Sequence, residues 1–222
     1  MTEIVKMSNI KKTYDGKKYV LSGIDFSLHE GEIAIISGAS GCGKSTFLNI
    51  VGLLDNMSEG DYFFNQVFIK RNRLSSYYKQ RADDIGFVFQ AYCLIESISV
   101  KDNILMPYLY SGKLIDRRVH EELYALADEL NISSLLDKKA GLLSGGEKQR
   151  VAICRAIIKK PKLIIADEPT GNLDAGNTAS VVGFFDRIVK SGTAVIIVTH
   201  NADLCFQNSK LYTLCAGELH SS

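Results

Sequence analysis

Two apolar rhythms alternate along the chain. At 24–28 the residues Ile-Asp-Phe-Ser-Leu set apolar and polar side chains in turn, the period of a strand with one covered face. At 33–37 the run Ile-Ala-Ile-Ile-Ser is apolar almost without a break and ends at Gly38, which predicts a strand covered on both faces. After Lys44 the period changes. Phe47, Leu48, Ile50, Val51 and Leu54 recur at helical spacing, so this segment reads as strand, glycine-rich turn, helix. Residues 60–69 predict a small hairpin about Asn65 and Gln66, and 85–89 predict another buried strand. Between 91 and 142 the pattern becomes helical, with Val119, Leu123, Leu126, Ala127 and Leu130 on one face, and reads as a helical insertion. A helix near 145–158 is ended by Lys159-Lys160-Pro161 and followed by a strand at 163–167. A helix near 177–190, a strand at 194–199 and a short strand at 210–215 complete the order. Strands alternating with helices predict an α/β fold on a largely parallel sheet covered on both faces.

Composition changes this picture by exclusion. The strongest apolar stretches, 163–166 and 194–198, are strand-sized, whereas a membrane span needs about 20 apolar residues. Met1-Thr-Glu-Ile-Val-Lys carries an acidic residue at once and no apolar region of signal-peptide length, so cytoplasmic residence is expected. Across 222 residues, 26 Lys+Arg nearly cancel 25 Asp+Glu, and a net charge of +1 gives no support to nucleic-acid binding through phosphate neutralisation. The five cysteines, Cys42, Cys93, Cys154, Cys205 and Cys215, are widely spaced and read as reduced, mostly buried thiols rather than disulfides or zinc ligands.

Three segments carry chemistry. Gly38-Ala-Ser-Gly-Cys-Gly-Lys-Ser-Thr46 satisfies the phosphate-loop pattern and lies between a buried strand and a helix, as that pattern requires. Its glycines let backbone amides converge on a phosphate, Lys44 reaches the β- and γ-phosphates, and the Ser45 hydroxyl suits Mg²⁺. Leu-Ile-Ile-Ala-Asp167-Glu168 sets two carboxylates at the carboxyl end of a strand, where ligands gather in open α/β sheets. Asp167 suits the metal shell and Glu168 the attacking water. Leu143-Ser-Gly-Gly-Glu-Lys-Gln-Arg150 is a helix start, in which Ser144 and Glu147 can form a capping box and Gly145 and Gly146 bare the first amides. A second anion-facing helix end, separate from the phosphate loop, suggests a nucleotide shared by two subunits.

In chain order, the phosphate loop, Gln90 at the end of the 85–89 strand, the Leu143–Arg150 segment, Asp167-Glu168, Asn172-Leu-Asp174 and His200 together resemble an ATP-binding-cassette (ABC) ATPase. The resemblance spans essentially the whole chain, and the Leu-Ser-Gly-Gly-Glu run is specific to that family among phosphate-loop proteins. Phe87-Val-Phe-Gln90 and Glu168-Pro-Thr-Gly-Asn-Leu-Asp174 are most similar to the branch of macrolide and peptide exporters, lipoprotein-release ATPases and the cell-division ABC ATPase.

The resemblance implies a P-loop NTPase (RecA-like) core with a small antiparallel β subdomain, approximately 1–90 and 159–222, and a helical subdomain at approximately 91–158. It implies ATP and Mg²⁺ as ligands. Tyr14 would stack on adenine, and Gly38, Ala39, Ser40, Gly41, Cys42, Gly43, Lys44, Ser45 and Thr46 would embrace the triphosphate. Ser45, Gln90 and Asp167 would hold the metal. Glu168 and His200 would organise the water with Gln90. Ser144, Gly145, Gly146 and Glu147 would clasp the γ-phosphate held by the opposite subunit, with Asp174 at the seam. Two departures stand out: Ala140-Gly141 replaces the proline many relatives carry before the signature, and Cys154 replaces a common alanine and reads as core packing. Cys42, beside amide dipoles and Lys44, is either a reactive thiol protected by ATP or an ordinary small loop residue.

The implied partners are a second copy of the chain and a separate transmembrane permease, which would place the protein peripherally at the cytoplasmic face of the membrane. Residues 91–110, rich in apolar and aromatic side chains, are either the permease contact or the core of the helical insertion. Two functions share this motor: powering export or extrusion of peptides, lipoproteins or hydrophobic drugs, and driving a mechanotransmission or signalling complex. ABC ATPases acting on nucleic acid or ribosomes are disfavoured, because the chain has no second cassette, no long coiled-coil insertion and no basic excess.

Overall fold

The computed structural model describes residues 2–171, 175–200, 206 and 209–221. The chain begins with two long strands, β1 (Glu3–Thr13) and β2 (Tyr19–His29), then β3 (Ile33–Ser37) and α1 (Lys44–Val51). The hairpin β4 (Glu59–Phe64) and β5 (Val67–Phe68) leads to α2 (Tyr78–Asp84) and β6 (Ile85–Val88). The helical stretch holds α3 (Val100–Ser111), α4 (Arg117–Glu129) and α5 (Gly145–Ile157). The chain closes with β7 (Leu163–Asp167), α6 (Ala175–Lys190), β8 (Ala194–Val198), β9 (Ser209–Cys215) and β10 (Glu218–Ser221).

Two sheets form. An antiparallel one has the order β2-β1-β4-β5, and a six-stranded one has the order β10-β9-β3-β8-β7-β6. In the larger sheet β9, β3, β8, β7 and β6 run parallel, and only the edge strand β10 is antiparallel. The continuous apolar runs are explained by what covers them. Ile33, Ile35, Ile164, Val195 and Ile197 face α5, α6 and the packed side chains of α3 and α4. Their neighbours Ala34, Ile36, Leu163, Ile165 and Ile196 face α1 and the antiparallel sheet. Successive side chains of a strand point to opposite faces, so with both faces dry no polar position is tolerated. This is the α/β architecture expected, with the expected antiparallel sheet and helical stretch.

Several elements differ from their sequence signatures, for physical reasons. β1 lacks a clean alternation because its pairing with β4 shifts register between Ser8 and Lys11, and Asn9 there adopts φ 51°. β2 is longer than 24–28 for a similar reason, a register irregularity near Gly23 that breaks its period. Leu54 does not belong to α1, which stops at Val51 and is capped by Gly52, leaving Leu54 exposed. α2 buries none of its side chains and so left no periodic trace. The expectation of mostly buried thiols fails among the described cysteines. Cys154 is buried, Cys42 half-buried, and Cys93 and Cys215 exposed. Cys154 is core packing, and burial pushes its thiol up to about 12. Within residues 91–110, Ile104, Leu105 and Tyr108 are buried in the core of the helical stretch, while Met106 and Tyr110 line an open groove.

Candidate active site

The carboxyl ends of β3 and β7, the start of α1 and the chain after β6 and β8 surround a cavity of about 320 Å³. Ser40, Gly41, Gly43, Lys44, Ser45, Thr46, Gln90, Asp167, Glu168 and His200 line it, together with Val20 of β2. Ten residues singled out from separate parts of the sequence therefore share one enclosure.

The phosphate loop turns from β3 into α1 through Gly43, which sits at the helix N-cap with φ 107°. A Cβ there would meet the Val20 carbonyl oxygen at 3.0 Å, so glycine is required both by conformation and by the approach of β2. No side chain caps α1, which leaves the amides of its first turn and its dipole for an anion. Lys44 Nζ donates to the carbonyls of Gly38 at 2.7 Å and Ala39 at 2.8 Å, so its ammonium lies across the loop it closes. Cys42 Sγ is 4.0 Å from that ammonium. Gly38, Ala39 and Cys42 shape the loop without lining the cavity.

Opposite the loop, β7 delivers Asp167 and Glu168. Glu168 has φ 49°, a left-handed backbone that turns the carboxylate off the strand axis. The amide of Glu168 donates to the Val198 carbonyl at 2.9 Å, and its carboxylate accepts from His200 N at 2.8 Å and Thr199 Oγ1 at 3.2 Å. The His200 Nε2 lies 3.9 Å from the same carboxylate. Burial first, and then the charge of Glu168, hold Asp167 above the ordinary carboxylate range, while Lys44 and His200 oppose the shift. The ligand chemistry of Ser45, Gln90 and Asp167 is hydroxyl, amide and carboxylate. These are hard donors in one cavity, too few to cage an ion unaided, which fits Mg²⁺ completed by phosphates and water. Among the described residues, no cluster of three His, Cys, Asp or Glu forms a separate metal cage.

The Ser144 end of α5 is elsewhere. It has the anticipated capping box: Ser144 Oγ accepts from Glu147 N, and Ser144 N donates to Glu147 Oε2 at 2.7 Å. The Ser144 backbone bond, and then its hydroxyl, hold Glu147 below the usual carboxylate range. Ser144, Gly145, Gly146 and Glu147 do not line the cavity. Ahead of the signature, Ala140 N donates to Ile98 O and Gly141 N to Glu96 O, both at 3.0 Å, and these bonds set its entry. Tyr14 lies outside the cavity on the loop between β1 and β2. Asp174 lies outside the described residues.

Sequence reasoning missed Arg155. From α5 it donates to the carbonyls of Tyr92 and Cys93, two left-handed residues just after Gln90, and so ties the Gln90 loop to the signature helix. Thr199 and Val20 were also missed; only their adjacency to a strand end beside the phosphate loop marks them.

Residues 21–171 match the sequence model of the family described as ABC transporter. The lipoprotein-releasing system ATP-binding protein LolD of Rickettsia conorii is 41% identical over 215 residues, covering 95% of each chain. The Aquifex aeolicus LolD is 42% identical over 204 residues, covering 92% of this chain and 90% of that one. The pyoverdine export ATP-binding/permease protein PvdT of Pseudomonas fluorescens is 38% identical over 227 residues, covering 99% of this chain but 34% of PvdT. Among solved structures, a dimeric bacterial ABC transporter cassette superposes with a TM-score of 0.87 at 31% identity, covering 98% of this chain and 97% of that one. The same cassette in a dimeric post-hydrolysis state bound to ADP and Pi gives a TM-score of 0.88.

Proposed function

The chain belongs to the ABC transporter ATP-binding cassettes, and from that premise we propose how its residues divide the work and what they drive. It is an ATPase that acts as a homodimer with transmembrane permease subunits. Water attacks the γ-phosphorus, the β–γ phosphoanhydride bond breaks, and ADP and phosphate leave. Phosphoryl transfer needs positioning and charge stabilisation rather than a covalent intermediate.

The loop amides of residues 38–46 and the Lys44 ammonium take up phosphate charge. Ser45, Gln90 and Asp167 would hold Mg²⁺, which when bound would supply charge neutralisation at the phosphates. Glu168, pinned by Thr199 and the His200 amide, accepts the proton of the attacking water, and the His200 imidazole would bond the γ-phosphate. Ser144, Gly145, Gly146 and Glu147 of the second copy complete the site. The observation that carries this reading is the separation of two anion-binding ends in one chain: the phosphate loop and catalytic carboxylates share a cavity, and the capped signature end stands apart from it.

Residues 91–158 serve as the helical subdomain that moves with the signature. Beside it, a groove of about 320 Å³ lined by Phe87, Phe89, Cys93, Met106, Pro107 and Tyr110 receives the permease. Among the described residues, no helix is long and apolar enough to cross a membrane, in keeping with a peripheral subunit at the cytoplasmic face. The likeness to lipoprotein-releasing and pyoverdine-exporting proteins supports an export or extrusion role, with lipid-anchored or hydrophobic peptide cargo.

The test is the Glu168→Gln protein saturated with Mg-ATP. Stable dimers by light scattering are expected. A strictly monomeric protein, even when bound to its permease, removes the shared site and the motor with it.

A further inference from the structure

We infer that Lys12 and Asp55 form a positioning pair that sets the Tyr14 ring, so that one face of it is presented to the nucleotide base. The inference rests on the reading above that Tyr14 stacks on adenine.

Tyr14 is exposed, at 65%, and a tyrosine so placed ordinarily turns among rotamers and loses that freedom when it binds. Here it is held at two points. Its hydroxyl donates to Asp55 Oδ2 at 2.9 Å. One face is covered by the Lys12 ammonium, whose Nζ lies 4.5 Å from the ring centroid, within cation–π range. Only the opposite face remains for a flat partner.

The ammonium is itself fixed. Lys12 is buried, and a buried cation must be paired. It donates to Asp55 Oδ1 at 2.7 Å and to the Asn56 carbonyl at 2.6 Å. The turn that carries Tyr14 is tied independently, with Asp15 accepting from the amides of Lys17 and Lys18 and Ser58 accepting from Thr13 N.

Asp55 also connects the ring to the phosphate loop. The amides of Leu54 and Asp55 donate to the Asn49 carbonyl at the end of α1, the helix whose other end begins at Lys44. Base platform and phosphate cradle thus sit at opposite ends of one rigid helix. The two ends of a nucleotide are recognised at a spacing that the helix sets.

The experiment compares binding of ATP and of inorganic tripolyphosphate, which lacks a base, to the full chain. The proteins are wild type, Asp55→Asn, Tyr14→Phe, Tyr14→Ala and the double variant Asp55→Asn/Tyr14→Ala. Tyr14→Phe removes the hydroxyl anchor alone, at an exposed position where folding is not at stake. Asp55→Asn and Tyr14→Phe are each expected to weaken ATP binding roughly 3- to 10-fold, the scale of freeing one side chain, with tripolyphosphate affinity unchanged. In the Tyr14→Ala background, Asp55→Asn should add nothing further.

If Tyr14→Ala weakens ATP while Asp55→Asn and Tyr14→Phe do not, the positioning pair is overturned and the stacking role stands. If Tyr14→Ala leaves ATP affinity intact, both fall. Equal losses for ATP and tripolyphosphate in Asp55→Asn would make Asp55 a support of the fold and overturn the pair.

Discussion

Glu168 and Asp167 are adjacent in sequence, yet the structure gives them unequal surroundings. Both oxygens of Glu168 are engaged by Thr199 and the His200 amide, which fixes the carboxylate in one orientation. Glu168→Gln should keep ATP binding and lower turnover by about 100-fold or more, the usual worth of a positioned base, as read by phosphate release. A variant that hydrolyses ATP at the wild-type rate would remove Glu168 from that role. Asp167 carries a different signature, a proton affinity raised by burial and by the neighbouring Glu168. A raised carboxyl pKa means that the fold prefers the protonated form. Its stabilising contribution is fully present below the ordinary carboxylate range and is lost as pH rises through the raised value. Asp167→Asn should therefore melt higher than wild type without nucleotide, with a gap that widens as pH rises from acid toward neutral. A gap that narrows over that range would contradict this account. The same variant should lose Mg²⁺-dependent hydrolysis, a trade of stability for function at a charged site.

Among the elements, α5 connects two of the segments singled out in the sequence. Its N-terminus is the capped signature and its far half reaches the Gln90 loop through Arg155. Ser144→Ala removes the cap and should cost about 1 kcal/mol of stability, measurable by urea denaturation. Ser144→Thr restores the capping oxygen and should recover most of that loss. α5 also approaches β6 very closely. A Cβ on Gly86 would lie 2.2 Å from the Ala156 carbonyl oxygen, which is backbone and has no rotamer by which to retreat. Gly86→Ala should destabilise the protein by about 1–3 kcal/mol through overpacking at this crossing, with a lower urea midpoint as the readout.

At the scale of the whole molecule, the signature end lies outside the cavity that the phosphate loop lines, so the proposed site needs a second copy. Complementation checks this directly. Lys44→Ala disables only the loop, and Ser144→Arg only the signature. In a mixed dimer, both defects fall on one site and the other is assembled from intact halves. Each variant alone should fail to trap nucleotide, and the mixture should trap it. A mixture that stays as inert as its parents would mean that the two ends do not meet across subunits.

Much of this was legible in the chain. The strands at 33–37 and 163–167 were readable to the residue because they are dry on both faces, and the phosphate loop, Asp167-Glu168 and the Ser144 capping box announce their chemistry through local spacing alone. These are features in which neighbours in sequence are neighbours in space. What only tertiary structure decided is everything that depends on residues far apart. A register irregularity in β1 answers to β4, and the bare surface of α2 hides it from any periodicity. Arg155 finds carbonyls some sixty positions away, and the Lys12 ammonium is buried only because Asp55 arrives to meet it. Charge burial and hydrogen-bond pairing are set by the assembled packing rather than by local order, so those residues became visible only once the chain had folded.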